Sequence, residues 1–298
     1  MTRFAWIDAR KAEFDVAVMC RCLKVSRSGY YAWRARPVSA RATADAVLVE
    51  QIRTVHRDSR GTYGAPRVHL ELADLGVRCG RKRVARLMAV EGLRGVDRRR
   101  FRLGCTQRNP HARPAPDLLE REFTAELLNQ KWVADVTYVP TRQGWLYLAV
   151  VLDVCSRLVV GWSMRGDRKA VLVADAVRAA VARRGGTAAG VIHHSDQGAE
   201  YSSGELDRTL RAAGIRASMG SVGDCYDNAM AESFFATVET ELFDHEHGGM
   251  FDTHRHAKLA IFDWIETFYN RRRRHSALGG VAPLVFEQQV AALAEAAA

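Results

Sequence analysis

An aspartate in the middle of an apolar strand pattern is the feature that most restricts how this chain can fold. Asp135 interrupts Trp132-Val-Ala-Asp-Val-Thr-Tyr-Val139, Asp196 ends Gly190-Val-Ile-His-His-Ser-Asp196, and Glu232 opens the helical stretch Asn228-Ala-Met-Ala-Glu-Ser-Phe-Phe235. An isolated ionised carboxylate loses its hydration inside a sheet, so an acid at such a position needs a partner or a metal ion. Three carboxylates delivered by separate elements offer hard oxygen donors of the kind that magnesium and manganese prefer. A pair of such ions is one solution to phosphodiester chemistry. The expectation is a fold that brings Asp135, Asp196 and Glu232 together.

A chain of 298 residues, 48% of them hydrophobic, can bury a sizeable core in about two domains. It contains no apolar run of about 18 residues, and its first residues lack an apolar signal core, so a cytoplasmic protein with no membrane association is expected. Six cysteines, Cys20, Cys22, Cys79, Cys105, Cys155 and Cys225, are scattered along it, which favours reduced thiols over a disulfide framework. Cys20-Arg-Cys22 has neither a second close cysteine pair nor a spaced histidine pair, so helix-buried thiols are expected there rather than zinc.

Charge is segregated. Residues 1–116 carry 25 Lys and Arg against 10 Asp and Glu, whereas residues 117–298 carry 19 against 24, within an overall net charge of +10. A basic front half joined to a mildly acidic back half reads as a nucleic-acid-holding region attached to a carboxylate-bearing one.

Residues 15–35 read as helix, short turn, helix, with Ser26 as the N-cap of the second and Pro37 closing it, a helical N-terminal region over 1–40. Over 41–105 the spacing predicts three more helices in a helix-turn-helix-like DNA-binding domain. Val47, Val49, Ile52, Val55 and His56 mark the first, Val68, Leu70, Leu72 and Leu75 the second, and Leu87, Met88 and Leu93 the third. In Ser59-Arg-Gly-Thr-Tyr-Gly-Ala-Pro-Arg67 the glycines permit a tight turn and Pro66 suits a first helical position. Arg81-Lys-Arg83, at the start of the third helix, stand where the helix dipole disfavours cations, a cost that nearby phosphates would offset. Arg98 to Arg102 and the proline-rich 108–116 follow, so 106–122 reads as a linker.

Beyond it the pattern changes. Strands at about 132–139, 145–154 and 157–164 form an antiparallel meander with turns at Gln143-Gly144 and Cys155-Ser156. A helix at 169–184, a strand at 190–195, a helix at 203–213, a strand at 215–219 and a helix from 228 complete a mixed α/β sheet with crossovers over 123–245. Asp135 then falls on the central strand and Asp196 at the carboxyl end of its neighbour. A further helix from Thr253 runs to Tyr269-Asn270 and four arginines, in a helical extension over 246–298. The helix dipole explains some of these cations, and DNA backbone contact is the expected use of the excess in Arg271, Arg272, Arg273 and Arg274.

Seven motifs in this order carry a resemblance over nearly the whole chain. They are Ser59 to Arg67, Gly80-Arg-Lys-Arg-Val-Ala-Arg-Leu-Met88, Trp132 to Tyr138, Leu152-Asp-Val-Cys-Ser-Arg157 with Val160-Gly-Trp162, His194-Ser-Asp-Gln-Gly198 with Tyr201, Gly223-Asp-Cys-Tyr-Asp-Asn-Ala229 with Glu232-Ser-Phe-Phe235, and Tyr269 to Leu278. Together they resemble the DDE transposases of the retroviral-integrase superfamily. More narrowly, the chain is similar to the second-frame (OrfB) product of the insertion sequence three family.

The resemblance implies an RNase H-like integrase core, a mixed five-stranded sheet with helices, preceded by an all-α helix-turn-helix-like region. It implies Asp135, Asp196 and Glu232 as ligands of two magnesium or manganese ions that serve strand cleavage and 3′-hydroxyl strand transfer. Arg60, Arg67, Arg81, Lys82, Arg83, Arg86 and Arg271 to Arg274 are the expected DNA contacts, with His194 and Asn228 in support. Implied partners are DNA, the first-frame (OrfA) protein or a fusion with it, and further copies on DNA.

Other acids have plainer explanations. Asp153 is expected to make a turn bond or ion pair, and Asp224 or Asp227 a helix cap. One departure stands out: two turns after Glu232 the family commonly has Lys or Arg, and here it is Glu239 on the same helical face. That implies weaker strand transfer than a Glu239→Lys variant, unless Arg216 or one of 271–274 substitutes. A cutting-only nuclease of the same fold and a non-catalytic DNA-binding regulator are the competing readings.

Overall fold

A computed structural model describes residues 2–97, 115–119, 124–220 and 229–297. Most of the expected linker, Arg98 to Arg102, Cys105, Asp224, Cys225, Asp227 and Asn228 lie outside the described residues. The chain forms two compact units, Met1–Arg53 and Thr54–Ala298.

In the first unit, helices α1 (Arg3–Arg10), α2 (Val16–Cys22) and α3 (Arg27–Ala35) close around Ile7, Met19, Cys20 and Tyr30. Each start is fixed by a side-chain oxygen that takes an otherwise unpaired backbone N–H: Thr2 for α1, Asp15 for α2, and Ser26 for α3 as its sequence context predicts. The Tyr30 hydroxyl donates to Asp8 at 2.9 Å, so the phenol of this small core is satisfied. Helix α4 (Ala40–Asp58) follows. It buries Leu48, Val49, Ile52 and Val55, while Val47, expected on that face, is exposed.

In the second unit, α5 (Ala65–Asp74) has Pro66 in its first turn and α6 (Arg81–Val90) opens on Arg81, Lys82 and Arg83. Strands β1 (Lys131–Thr141), β2 (Gly144–Asp153), β3 (Val159–Arg165), β4 (Ile192–Ser195) and β5 (Arg216–Met219) form one sheet in the order β3-β2-β1-β4-β5. β1 is central, antiparallel to β2 and parallel to β4, as the sequence pattern predicts. Its even-numbered residues Trp132, Ala134 and Val136 join a core with α7 (Ala170–Arg183) and α8 (Gly204–Ala212). Alternation along the strand turns Asp135 to the other face. Helix α9 (Ala229–Val238) contacts β1, and its buried residues lie outside the core that α7 shares.

Two further features were not legible in the pattern. Helix α9 continues as a π-helical stretch, Glu239–Asp244, and the helix His254–Asp263, capped by Thr253, continues as another, Trp264–Tyr269. Extra residues per turn rotate the side chains that follow, so faces extrapolated across these points at 3.6 residues per turn are misplaced.

Gly161 on β3 explains one motif. A Cβ there would lie 2.2 Å from the Ala176 carbonyl oxygen and 2.5 Å from the Ala180 nitrogen, so only glycine lets α7 pack this closely on the sheet. Gly161→Ala is expected to lower stability by about 1–3 kcal/mol or more through forced backbone displacement, read as a lower thermal midpoint. An unchanged midpoint would show that α7 can move away freely.

Candidate active site

The site begins where β4 ends. β4 pairs with β1 over Lys131–Val133 and ends at Ser195, so Asp196 is the first residue of the loop that leaves the sheet beside β1. The Asp196 carboxylate accepts from the Gly198 N–H at 3.0 Å. A Cβ at Gly198 would sit 3.0 Å from Asp196 Oδ1 and 3.1 Å from Glu200 Cδ, so glycine there lets the loop fold over its own acids. Glu232 stands in the first turn of α9, where the helix dipole favours an anion. All three expected acids are half-buried.

Electrostatics ties them together. Burial pushes the Asp135 carboxyl up to about 8, and the charges of Asp196, Glu232 and Glu200 add to it against a 2.7 Å hydrogen bond from the Val136 N–H. Burial also raises Glu232 above the usual carboxylate range. Asp135 therefore lies within the field of both other acids. Their carboxylates do not already form a cage: among the described residues no three His, Cys, Asp or Glu side chains are close enough to hold one ion.

Two neighbours, Glu200 and Arg168, escaped the sequence reading, and Tyr201 entered it only as part of a motif. Glu200 is buried and adds a fourth carboxylate, matched by Arg168, whose Nε and Nη2 donate to it at 2.9 and 2.5 Å. Arg168 Nη1 donates to the Tyr138 hydroxyl at 2.7 Å. The Tyr201 hydroxyl is buried with no hydrogen-bond partner among the described residues, and burial together with Asp135, Asp196 and Glu200 raises its pKa well above the ordinary value. The available signal was spacing: Glu200 and Tyr201 follow Asp196 by four and five residues across a glycine turn.

Asp153 is structural, as expected. Its carboxylate accepts from the N–H groups of Asn129, Cys155 and Ser156, with Arg184 3.6 Å away. His194 differs from expectation. It is fully buried and its Nδ1 lies 2.8 Å from Ser218 Oγ on β5, so it braces the sheet and does not reach a phosphate.

Four expected DNA contacts are also corrected. Arg273 is buried, with Nε and Nη2 donating to Glu241 at 2.7 and 2.6 Å, and Arg67 reaches the same carboxylate at 3.4 Å. Arg274 is buried against Glu71 at 2.7 Å and Asp74 and donates to the Gly280 carbonyl. Arg60 pairs with Glu246 and Asp263. These guanidinium groups bind α5 and the turn before it to the C-terminal helices, and Tyr63 adds to that joint by accepting from the Arg274 N–H at 2.8 Å. Arg81, Lys82, Arg86, Arg271 and Arg272 are exposed, and Arg83 is half-buried.

A five-stranded mixed sheet with an acid on its central strand, a second beyond the adjoining parallel strand and a third on a helix across the same face defines an integrase-type catalytic core. The integrase core domain family matches residues 126–225, a second integrase core domain family matches 213–283, and an HTH-like domain family matches 43–101. The Escherichia coli K12 protein described as transposase InsF for insertion sequence IS3A is 39% identical over 290 residues, 96% of this chain and 99% of its own length. An insertion element IS600 protein of 31 kDa from Shigella sonnei is 40% identical over 91% of this chain and 98% of its own. The HTLV-2 integrase catalytic core domain in complex with magnesium matches 55% of this chain and 99% of its own at 16% identity, with a TM-score of 0.43. The chain belongs to the IS3 family of insertion-sequence transposases. It is a DDE-type transposase.

Two outcomes follow from the charges. The folded-state pKa of Asp135, about 8, lies above its ordinary 3.8, so between these values the folded chain holds a proton that the unfolded chain has lost. Stability from this group is full below about pH 4 and is lost as pH rises through about 8. In metal-free buffer, denaturation midpoints should fall across that window for the wild type and much less for Asp135→Asn; parallel curves would contradict the charge cluster. Arg273→Met strips Glu241 of its main counter-charge and should cost on the order of 3–5 kcal/mol. An unchanged thermal midpoint with weakened DNA affinity would instead restore a DNA-contact role.

Proposed function

We propose that this transposase cuts and joins DNA through divalent cations held by Asp135, Asp196 and Glu232. The observation that carries the reading is the half-buried Asp135 on the central strand, whose carboxyl is pushed up by burial and by the neighbouring charges of Asp196, Glu232 and Glu200. Such a group of hard oxygen donors fits two magnesium or manganese ions. When bound, these ions would supply Lewis acidity, activating the attacking oxygen and offsetting charge on the phosphate and the leaving oxygen.

The protein's own part is placement. β1 and the loop after β4 fix two carboxylates on rigid backbone, and α9 brings the third. Arg168 holds Glu200 in an ion pair, which keeps that fourth acid from competing as a ligand. No protein nucleophile is required, because water serves cleavage and a DNA 3′-hydroxyl serves joining.

The reading extends to DNA placement. Exposed Arg81, Lys82 and Arg86 at the start and outer side of α6 contact phosphates, with Arg83 beside them and Arg271 and Arg272 adding a second basic patch. Gly80, the residue before α6, caps it with no side chain, which leaves the first N–H groups of that helix for an anion. The first-frame protein, or a fusion with it, supplies recognition of element ends, and the chain works as a multimer on bacterial DNA in the cytoplasm. Among the described residues no helix is long and apolar enough to cross a membrane.

The test is a labelled element end incubated with protein and magnesium or manganese. The wild type should give nicked and joined products, and Glu232→Gln or Asp135→Asn should lose both by at least about a hundredfold. Nicks without joining would point to a nuclease, and product that survives both substitutions would end the reading. In the same assay Glu239→Lys should raise the joined fraction. Glu239 lies where the helix becomes π-helical, and burial and Asp244 both raise its pKa.

A further inference from the structure

None of the residues assigned above to catalysis or to phosphate contact belongs to the first unit, Met1–Arg53. Within it, α2 and α3 are joined by only four residues, Leu23 to Ser26. Lys24 takes a left-handed conformation with φ of 52°, and the N–H groups of Lys24 and Val25 donate back to the carbonyls of Arg21 and Cys20, which closes α2. Val25 packs against the core that holds Cys20, and the next residue, Ser26, already caps α3 by accepting from the Gly29 N–H at 2.9 Å. Two helices joined by so short a turn, braced across one core by α1, form the arrangement that presents a recognition helix in DNA-binding proteins.

The two sides of α3 differ in kind. Tyr30 and Trp33 belong to the core, and a Cβ on Gly29 would lie 2.6 Å from Ser26 Oγ and 3.3 Å from the Phe4 ring, so this side is committed to packing. On the opposite arc Arg27, Ser28, Tyr31, Ala32 and Ala35 are all exposed, Tyr31 by 46%. The helix contains no acid. Its length of about 13 Å faces some three or four base pairs. Residues 1–40 carry 8 Lys and Arg against 3 Asp and Glu, and two of those acids are engaged, Asp8 with Lys11 and Tyr30 and Asp15 as the cap of α2. Such surroundings favour a polyanion. A helix destined for a protein groove needs a row of large apolar anchors, which alanines at 32 and 35 do not supply.

We infer that α3 is a recognition helix that enters the major groove of DNA and reads bases, with Arg27 donating to N7 and O6 of a guanine and Tyr31 packing on the neighbouring base edge. Arg27 lies in the first turn, the part of such a helix that meets base edges, and exposed Arg21 and Lys24 on the preceding helix and turn serve the flanking phosphates. A guanidinium spans both guanine acceptors with parallel hydrogen bonds, which a lysine cannot do. This reader is separate from whatever recognition the first-frame protein supplies, and it is independent of the three acids.

The test uses the full-length protein without metal and a duplex that it selects from a random-sequence pool. Methylation of guanine N7 should block binding at one position of the selected site. Arg27→Lys keeps the charge, and it should abolish that block and lower affinity for the selected site about tenfold or more, as should Tyr31→Ala for affinity. On a shuffled duplex of the same composition both variants should stay within about twofold of the wild type. Both side chains are exposed, so neither substitution touches the core. A block that persists in Arg27→Lys, an equal loss on both duplexes, no loss, or a change only in oligomeric state would overturn the recognition helix. A chain that reads DNA in this way but never cuts it with metal added would end the catalytic reading alone, and one that cuts while Arg27→Lys selects the same sequence would end this inference alone.

Discussion

Mutual repulsion among carboxylates is the constraint on which the rest of this structure depends. Asp135 sits on the middle strand of the sheet, within the field of Asp196, Glu232 and Glu200, and burial alone already disfavours its charge. A fold that concentrates anions in this way gives up stability, a cost characteristic of functional sites. The surrounding structure leaves that concentration of charge in place. Arg168 is positioned to pair with Glu200, and backbone N–H groups of Val136 and Gly198 steady Asp135 and Asp196 without neutralising them.

The cations that might have collapsed onto these acids are engaged elsewhere. Arg67 and Arg273 share the buried Glu241, Arg274 grips Glu71 and Asp74, and Arg60 bridges Glu246 and Asp263. Buried ion pairs contribute little net stability, since desolvation offsets most of their attraction, but removing one partner is costly. Their value here is geometric. They fix α5, and with it the α5–α6 pair, to the helices that follow the sheet.

Much of this was legible in the sequence because it depends on local rules. Alternating apolar residues set the five strands and their order, Ser26, Thr253 and Pro66 mark helix starts, and an acid inside a strand at Asp135 announces its own cost. What escaped reading depends on contacts distant in sequence. Nothing local separates Arg273, which is buried, from Arg272, which is exposed, because the difference is the presence of Glu241 more than thirty residues earlier. The same holds for Arg168 and Glu200, joined only by the crossover that returns the chain through β4. His194 was misread for a related reason: a histidine two residues before Asp196 looks available, yet its register opposite Ser218 commits it to the sheet.

The correction to the arginines changes the meaning of the basic front half. With Arg60 and Arg67 paired internally, the exposed cations left among the expected contacts of this domain are Arg81, Lys82 and Arg86 on α6. Cations that meet only phosphates position a duplex but carry no sequence information. A choice of sequence then has to be made by groups other than these, because a phosphate offers the same charge whichever base pair it flanks.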